Sequence, residues 1–302
     1  MELGSADASP VTVPPPRRIQ TDLTWSLDDE LDVGERTRPN DHVRHLAAEL
    51  GRRLRAHRLK LPMLPQAATE ALRLAGDPKT SFKEVERVVS TDPMLAARVL
   101  AVANSPAYGG HGVKHLGLAL QRLGTGTIRD ILYQAVAEAH IFRGSAGDAL
   151  RLEREHAVAV GFAARLVCRR VGLDSGCAFV CGLLHDLGKP MLLEFLQQSR
   201  SPELTSDDAD AVVRQLHAPL GAHLALVWSL PKLVVEACRR HHAYRETSTR
   251  PYSQLGHAIA VADRFVRHRG SPVWADACVY DLGLDSADVQ AIVLELEQAH
   301  PT

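Results

Sequence analysis

Residues 182–189, with the sequence Gly-Leu-Leu-His-Asp-Leu-Gly-Lys, constrain this chain more than any other stretch. They place His185 and Asp186 side by side at the end of an apolar segment that begins near residue 178, so the pair is expected to be buried. Burying an imidazole and a carboxylate is costly unless both find partners. Together they are a common way to hold a divalent transition metal. The pair alone is equally compatible with a hydrogen-bonded structural role.

Further residues that bind metals in proteins occur along the second half of the chain. His156 lies on the same helical stripe as Val160, Ala163 and Val167, which predicts that it points toward the core. The remaining candidates are His217, the tandem His241 and His242, and Asp263, which ends an apolar run. Taken singly, each also has a structural explanation as a helix cap, a rim histidine or a helix-ending acid. The whole set is harder to explain in that way.

Apolar residues recur at helical spacing along most of the sequence, and no alternating segment is long enough to indicate a strand. Ser81 and Glu84 have the spacing of a capping box, and Asp92-Pro93 predicts another helix start. Gly124 and Gly126 predict a break in the helical run around them, and residues 194–210 predict an exposed connection. We therefore expect an all-α fold.

The chain divides into four segments by composition and pattern. Residues 1–40 are rich in proline and acids and predict a disordered tail, and residues 41–60 predict an amphipathic helix. Residues 61–145 predict an amino-terminal helical lobe, and residues 146–302 predict a second helical lobe that contains the His-Asp pair. The basic residues Arg52, Arg53, Arg55, Arg58 and Lys60 favour a solvated face of the first helix over a nucleic-acid contact.

Composition excludes several classes of protein. In 302 residues, 35 Lys and Arg balance 36 Asp and Glu, so the charge gives no general attraction to nucleic acid or anionic membranes. The 5 cysteines lie in apolar helical stretches, which suits thiols in a reducing compartment. Neither a signal peptide nor a membrane span is visible. These observations predict a cytoplasmic protein.

The order of His156, His185-Asp186 with Gly188-Lys189, His217, His241-His242 and Asp263 resembles that of the HD superfamily of metal-dependent phosphohydrolases. The resemblance implies a first metal site formed by His156, His185, Asp186 and Asp263. It implies a second site formed by His217, His241 and His242, with Asp186 bridging the two. One or two divalent transition metal ions (Fe, Mn, Ni or Zn) are expected there. Lys189 would contact a phosphate or a bound water.

The first half of the chain is similar to one branch of that superfamily, the HDOD domains. The similarity is carried by Leu-Pro-Met-Leu-Pro at 61–65, Thr-Asp-Pro-Met-Leu at 91–95, Val-Ala-Asn-Ser-Pro-Ala-Tyr at 102–108 and Ala-Leu-Gln-Arg-Leu-Gly at 119–124. It extends over residues 61–267. It implies an HD-superfamily helical bundle with an additional amino-terminal helical lobe. HDOD domains are regulatory output modules of bacterial signalling.

Two functions follow from these resemblances. The first is a regulatory HDOD module that acts through protein or ligand binding, with signalling proteins as partners; a nucleotide ligand and an oligomeric state are compatible with it. The alternative is a metal-dependent phosphohydrolase or phosphodiesterase acting on a nucleotide or cyclic dinucleotide, with Lys189 and Asp186 in catalytic roles. The sequence after His242 lacks the Asp-Gly-x-Gly-Tyr-Pro segment of cyclic-di-GMP phosphodiesterases. Nucleic-acid and membrane partners are not expected.

Overall fold

The computed structural model describes residues 41–55, 74, 80–91, 93–110, 112–173, 176–199, 205–228, 230–242, 252–268, 279 and 281–299. Their regular secondary structure is helical, which confirms the all-α prediction. The predicted tail at 1–40, residues 56–60 of the predicted first helix and the Leu-Pro-Met-Leu-Pro segment lie outside the described residues. The boundary expected near residue 145 stays a prediction.

The helices are α1 (Asp41–Arg55), α2 (Phe82–Ser90), α3 (Pro93–Ala103), α4 (Leu116–His140), α5 (Gly147–Arg170), α6 (Ala178–Leu184), α7 (Gly188–Ser199), α8 (Ser206–Val227), α9 (Lys232–Arg240), α10 (Tyr252–Arg267) and α11 (Ser286–Ala299). A short 3₁₀ helix, Pro106–Tyr108, follows α3. None of the described helices is both long and apolar enough to cross a membrane.

Local sequence signals account for several helix ends. The predicted capping box is present at α2, where Glu84 N donates to Ser81 Oγ and Ser81 N donates to the Glu84 carboxylate at 2.8 Å. Pro93 is the first residue of α3, and α3 ends at Ala103, shortly before Pro106, because proline disfavours helix in the residue that precedes it. Asp92, the expected cap of α3, lies outside the described residues.

The predicted break in α4 occurs at one glycine. Gly124 has φ 73° and ψ 163°, which is non-helical and lies where an L side chain is strained. Gly126 lies in the helical stretch that follows, so the break is narrower than the sequence indicates. The two parts of α4 pack with α2 and α3 around a shared apolar core that includes Val89, Val99 and Leu120.

The second half of the chain is organised around α5, which packs against α6, α7, α10 and α11. Helix α8 contacts α7 and α9, and α1 lies against α8 with Leu46 and Leu50 buried. Arg52 on α1 is exposed and pairs with Glu49 at 2.7 Å, which fits the predicted solvated face. The side chains of the other members of that basic cluster are outside the described residues.

Two glycine contacts bring the helices close enough to deliver the His-Asp pair. A Cβ at Gly182 would lie 2.7 Å from the Val160 carbonyl oxygen, so α6 can approach α5 closely only at a glycine. A Cβ at Gly188 would lie 2.1 Å from the His217 carbonyl oxygen and 2.8 Å from Gly221 N, so the start of α7 touches the backbone of α8. His185 and Asp186 lie between these two contacts.

The expected exposed connection over residues 194–210 is wrong at both ends. Helix α7 continues to Ser199, and α8 begins at Ser206 with a capping box between Thr205 and Asp208. Glu194 lies on α7 and accepts hydrogen bonds from Ala146 N at 2.7 Å and Ser145 Oγ at 2.9 Å. These partners lie about 50 residues away along the chain, so local composition gave no sign of them.

Candidate metal centre

Five helices or helix ends deliver the predicted ligands to one place in the core. The residues are His156 on α5, His185 and Asp186 just after α6, His217 on α8, His241 and His242 just after α9, and Asp263 on α10. Their side chains form two groups whose ligand atoms lie within 4.8 Å of one another. We call His156, His185, Asp186 and Asp263 the first half-site, and Asp186, His217, His241 and His242 the second half-site. Asp186 belongs to both, as the sequence resemblance implied.

The backbone fixes the tautomer of two imidazoles in the second half-site. His217 Nδ1 donates to the Val213 carbonyl at 2.7 Å, and His241 Nδ1 donates to the carbonyls of Ala237 and Cys238 at 3.1 and 3.0 Å. Carbonyl oxygens only accept hydrogen bonds, so each Nδ1 carries the proton. In the neutral rings, Nε2 is therefore left with a lone pair.

These lone pairs point toward each other and toward a carboxylate. The Nε2 atoms of His217 and His241 are 3.3 Å apart, and each lies 3.3 Å from Asp186 Oδ1. His242 Nε2 is 2.9 Å from His217 Nε2. Asp186 Oδ1 is buried and accepts no hydrogen bond from the described residues. Such a group of acceptors repels itself unless a cation or proton lies among them, so the donor set fits a divalent ion of borderline hardness.

The first half-site has a similar nitrogen arrangement. His185 Nδ1 donates to the Gly182 carbonyl at 2.7 Å, which leaves its Nε2 3.1 Å from Asp186 Oδ2 and 3.6 Å from Asp263 Oδ1. His156 Nε2 lies 2.9 Å from Asp263 Oδ1, so His156 points inward as its position on the helical stripe predicts. The Nε2 atoms of both histidines are buried and lack a hydrogen bond of good geometry.

Two cationic side chains contact the first half-site. Lys189 Nζ is 2.5 Å from Asp186 Oδ2, and Arg267 donates through Nη2 to the same oxygen at 3.2 Å. Arg267 Nε also donates to both oxygens of Asp263 at 2.8 Å. Glu153 lies 3.6 Å from Lys189. Sequence reasoning missed Arg267 and Glu153, although Arg267 follows Asp263 at the spacing of a helical ion pair.

The electrostatics of the first half-site favour ionised carboxylates. Burial alone would raise the pKa of Asp263, but the close His156 and His185 rings and the hydrogen bonds from Arg267 hold that pKa well below its usual range. Burial likewise opposes ionisation of Asp186, yet contact with His185 and His241 keeps its pKa low. Burial would lower the pKa of His185, but the two carboxylates outweigh it and raise the pKa to about 10.

The histidines of the second half-site behave in the opposite way. Burial lowers the pKa of His217 to about 4, although Asp186 opposes the change. Burial and the neighbouring His241 and His217 lower the pKa of His242 to about 3. Near neutral pH these two rings are therefore neutral, which is the form that binds a metal ion.

Most of this centre is closed to solvent. His185 is 0% exposed, and Asp186, His217 and His241 are at most 5% exposed. Access is better at His156, whose side chain is 16% exposed, at Arg267, whose side chain is 40% exposed, and at His242, which lies at the surface. Among the described residues of the centre, these three are the more exposed to solvent.

Comparison with known proteins finds similar sequences. An uncharacterised protein of Treponema pallidum is 24% identical over 219 residues, which cover 68% of this chain and 42% of that protein. Ribonuclease Y of Rhodopirellula baltica is 32% identical over 122 residues, which cover 36% of this chain and 22% of the enzyme. The chain thus spans less than half the length of either relative.

Solved structures match over most of the chain. An HDOD domain protein of unknown function from Geobacter sulfurreducens superposes with a TM-score of 0.66 at 21% identity, covering 84% of this chain and 93% of that one. A candidate metal-dependent phosphohydrolase from Shewanella amazonensis gives a TM-score of 0.65 at 20% identity, covering 85% and 99%. A candidate signal transduction protein from Marinobacter aquaeolei gives 0.62 at 20% identity, covering 89% and 66%. The HDOD domain family matches residues 61–244, more than half of the sequence, and the chain therefore belongs to the HDOD family.

Proposed function

We propose that this chain is a regulatory module of bacterial signal transduction whose His-Asp centre holds a divalent transition metal ion and which acts by binding a protein or ligand. The observation that carries the metal is Asp186 Oδ1, a buried carboxylate oxygen without a hydrogen bond that faces the lone pairs of His217 and His241. A cation at that point satisfies all of these acceptors together.

The second half-site would hold the ion through His217, His241, His242 and Asp186, and the first half-site offers His156, His185 and Asp263 in addition. Iron, manganese, nickel and zinc all accept such nitrogen and oxygen ligands. When bound, the ion supplies positive charge and Lewis acidity at the centre. Because the ligands come from α5, α8 and α10 and from the ends of α6 and α9, binding also ties these helices together.

Burial supports regulation over catalysis. The four ligands His185, Asp186, His217 and His241 are nearly inaccessible, so a substrate has little contact area at the ion itself. The likeness to the Marinobacter signal transduction candidate is compatible with signalling partners. The expected cytoplasmic location belongs to this proposal, because the buried thiols of Cys181 and Cys238 suit a reducing compartment.

One observation favours the alternative, a metal-dependent phosphohydrolase. Lys189 and Arg267 place two positive charges beside the ligand cluster, and Arg267 is open to solvent. Such charges stabilise the negative charge that develops during phosphoryl transfer. The Shewanella protein is a candidate metal-dependent phosphohydrolase, and its similar fold is compatible with this alternative. Lys189 would then contact the phosphate, and Asp186 would be a metal ligand.

The two functions are separated by measuring metal content and hydrolysis on the same samples. The full chain is purified without chelator and analysed for transition metals, and its hydrolysis of bis(p-nitrophenyl) phosphate, mononucleotides and cyclic dinucleotides is assayed with added Fe²⁺ or Mn²⁺. Asp186→Ala is compared with Asp148→Ala, which alters an exposed aspartate on α5.

We expect bound metal in the native chain and in Asp148→Ala, none in Asp186→Ala, and no hydrolysis that depends on Asp186. We also expect a chelator to lower the melting temperatures of the native chain and of Asp148→Ala, which bind metal, and to leave that of Asp186→Ala unchanged. Leaving a buried charged cluster without its partner costs about 3–5 kcal/mol. Turnover that disappears in Asp186→Ala would establish the phosphohydrolase instead. Absence of metal from every sample would refute the metal centre.

A further inference from the structure

The two half-sites differ in how many of their carboxylate oxygens already have a cationic partner. Arg267 Nε donates to both oxygens of Asp263 at 2.8 Å, and Arg267 Nη2 donates to Asp186 Oδ2 at 3.2 Å. Lys189 Nζ contacts the same Oδ2 at 2.5 Å. The remaining oxygen, Asp186 Oδ1, accepts no hydrogen bond from the described residues and faces the second half-site.

This difference is one of charge. In the first half-site, the two carboxylates are already balanced by Lys189 and Arg267. In the second half-site, the Nε2 atoms of His217 and His241 contact each other and Asp186 Oδ1, and His217 Nε2 also contacts His242 Nε2. Both half-sites contain histidine side chains, so residue type alone does not distinguish them. The contacts of Lys189 and Arg267 with the carboxylates occur only in the first half-site among the described residues.

We propose that Arg267 is an internal competitor for metal at the first half-site, so that the chain binds one divalent ion tightly at the second half-site and a further ion only weakly. This inference rests on the proposed metal centre. It states in addition how many ions the centre binds tightly and which residue limits that number. A divalent ion that enters the first half-site has to displace the Arg267 guanidinium from three charge-assisted hydrogen bonds. The displaced guanidinium remains nearby, and its positive charge repels the ion.

Arg267, rather than Lys189, is the cation that can move. Arg267 is the last residue of α10, and its side chain is 40% exposed. The guanidinium can therefore turn to solvent while the methylene chain stays in place. The Lys189 side chain is 9% exposed, and its Nζ also lies 3.6 Å from Glu153. Lys189 therefore remains near the centre whether or not an ion occupies the first half-site. Arg267 therefore controls entry to the first half-site.

The test is a titration of the metal-stripped full chain with Co²⁺. Calorimetry and the visible absorption of the bound ion monitor the titration. Cobalt reports the number of sites and their coordination without any enzymatic assay. The native chain is compared with Arg267→Gln and Arg267→Lys. Arg98→Gln is the matched control, because Arg98 also makes a partly buried two-oxygen pair, with Glu138 at 2.5 and 3.1 Å, on α3 and α4.

We expect one tight Co²⁺ ion per chain in the native protein and in Arg98→Gln. In Arg267→Gln a second ion should bind roughly ten- to a hundredfold more tightly than in the native chain, because one competing charge and its hydrogen bonds are gone. Arg267→Lys keeps the charge, so its second site should stay closer to the native one than to that of Arg267→Gln. Circular dichroism and thermal melting establish that each variant is folded.

Different failures have different meanings. If the native chain binds two Co²⁺ ions with equal affinity, or if Arg267→Gln leaves the second affinity unchanged, Arg267 is not a competitor and the proposed metal centre still stands. If no variant binds Co²⁺, both the centre and the role of Arg267 are refuted. A second site that also appears in Arg98→Gln would trace the effect to a general loss of positive charge and would overturn the proposal as well.

Discussion

Replacing Gly188 by alanine tests how the fold positions the metal ligands. The added Cβ would lie 2.1 Å from the His217 carbonyl oxygen, and Cβ atoms essentially never approach another heavy atom closer than 3.0 Å. Helices α7 and α8 must therefore move apart by about 0.9 Å at this point. The obstructing atoms are backbone, so no side-chain rotation relieves the contact.

The magnitude follows from overpacking. Inserting a methyl group into a closely packed core costs about 1–3 kcal/mol, and a backbone clash belongs at the upper end of that range. Alanine favours the helix over glycine, which offsets about 0.5–1 kcal/mol of this loss in the free energy of unfolding. We expect a net loss of about 2 kcal/mol, which lowers the melting temperature by roughly 4–8 °C for a chain of this size.

The same variant should weaken metal binding, because the atom that is pushed belongs to His217. Disturbing groups that support metal ligands typically lowers affinity by about 10–100-fold. The assay is urea unfolding of the metal-free chain together with a metal titration. Gly126→Ala is the control, since its Cβ would meet nothing within 4 Å, and it should be neutral or slightly stabilising. Native-like stability and metal affinity in Gly188→Ala would refute the reasoning.

Two further predictions concern parts of the fold outside the centre. Burial raises the pKa of Asp130 to about 6, although the Arg165 guanidinium lies at 2.6 Å. Because this pKa is higher than in the unfolded chain, Asp130 stabilises the fold fully below about pH 4. That stabilisation falls by about 3 kcal/mol as the pH rises through 6. Urea unfolding between pH 4 and 7 should show this fall in the native chain and a flatter profile in Asp130→Asn; equal slopes would contradict the prediction. Replacing Glu194 by alanine removes the acceptor of Ser145 Oγ and Ala146 N and should lower the unfolding free energy by about 1 kcal/mol in a denaturant titration, whereas an unchanged midpoint would show that this contact adds nothing.

The sequence predicts the helices well where the signal is local. The capping box at Ser81, the proline start of α3 and the break at Gly124 each depend on neighbouring residues, and the structure confirms them. The connection expected over residues 194–210 is wrong, because α7 continues to Ser199 and α8 begins at Ser206. Glu194 on α7 is held by Ser145 and Ala146, about 50 positions away. A contact of that kind leaves no periodic or compositional trace.

The metal centre was likewise predictable from the sequence only in part. The sequence by itself determined the His-Asp pair, the helical class and, through a family resemblance, the set of ligand candidates, because residue type and order are local properties of a chain. Only the tertiary structure decided which carboxylate oxygens Lys189 and Arg267 contact and that Asp186 Oδ1 is left facing histidine lone pairs. These facts depend on how closely α5 to α10 pack, and the contacts at Gly182 and Gly188 set the approach of α6 to α5 and of α7 to α8.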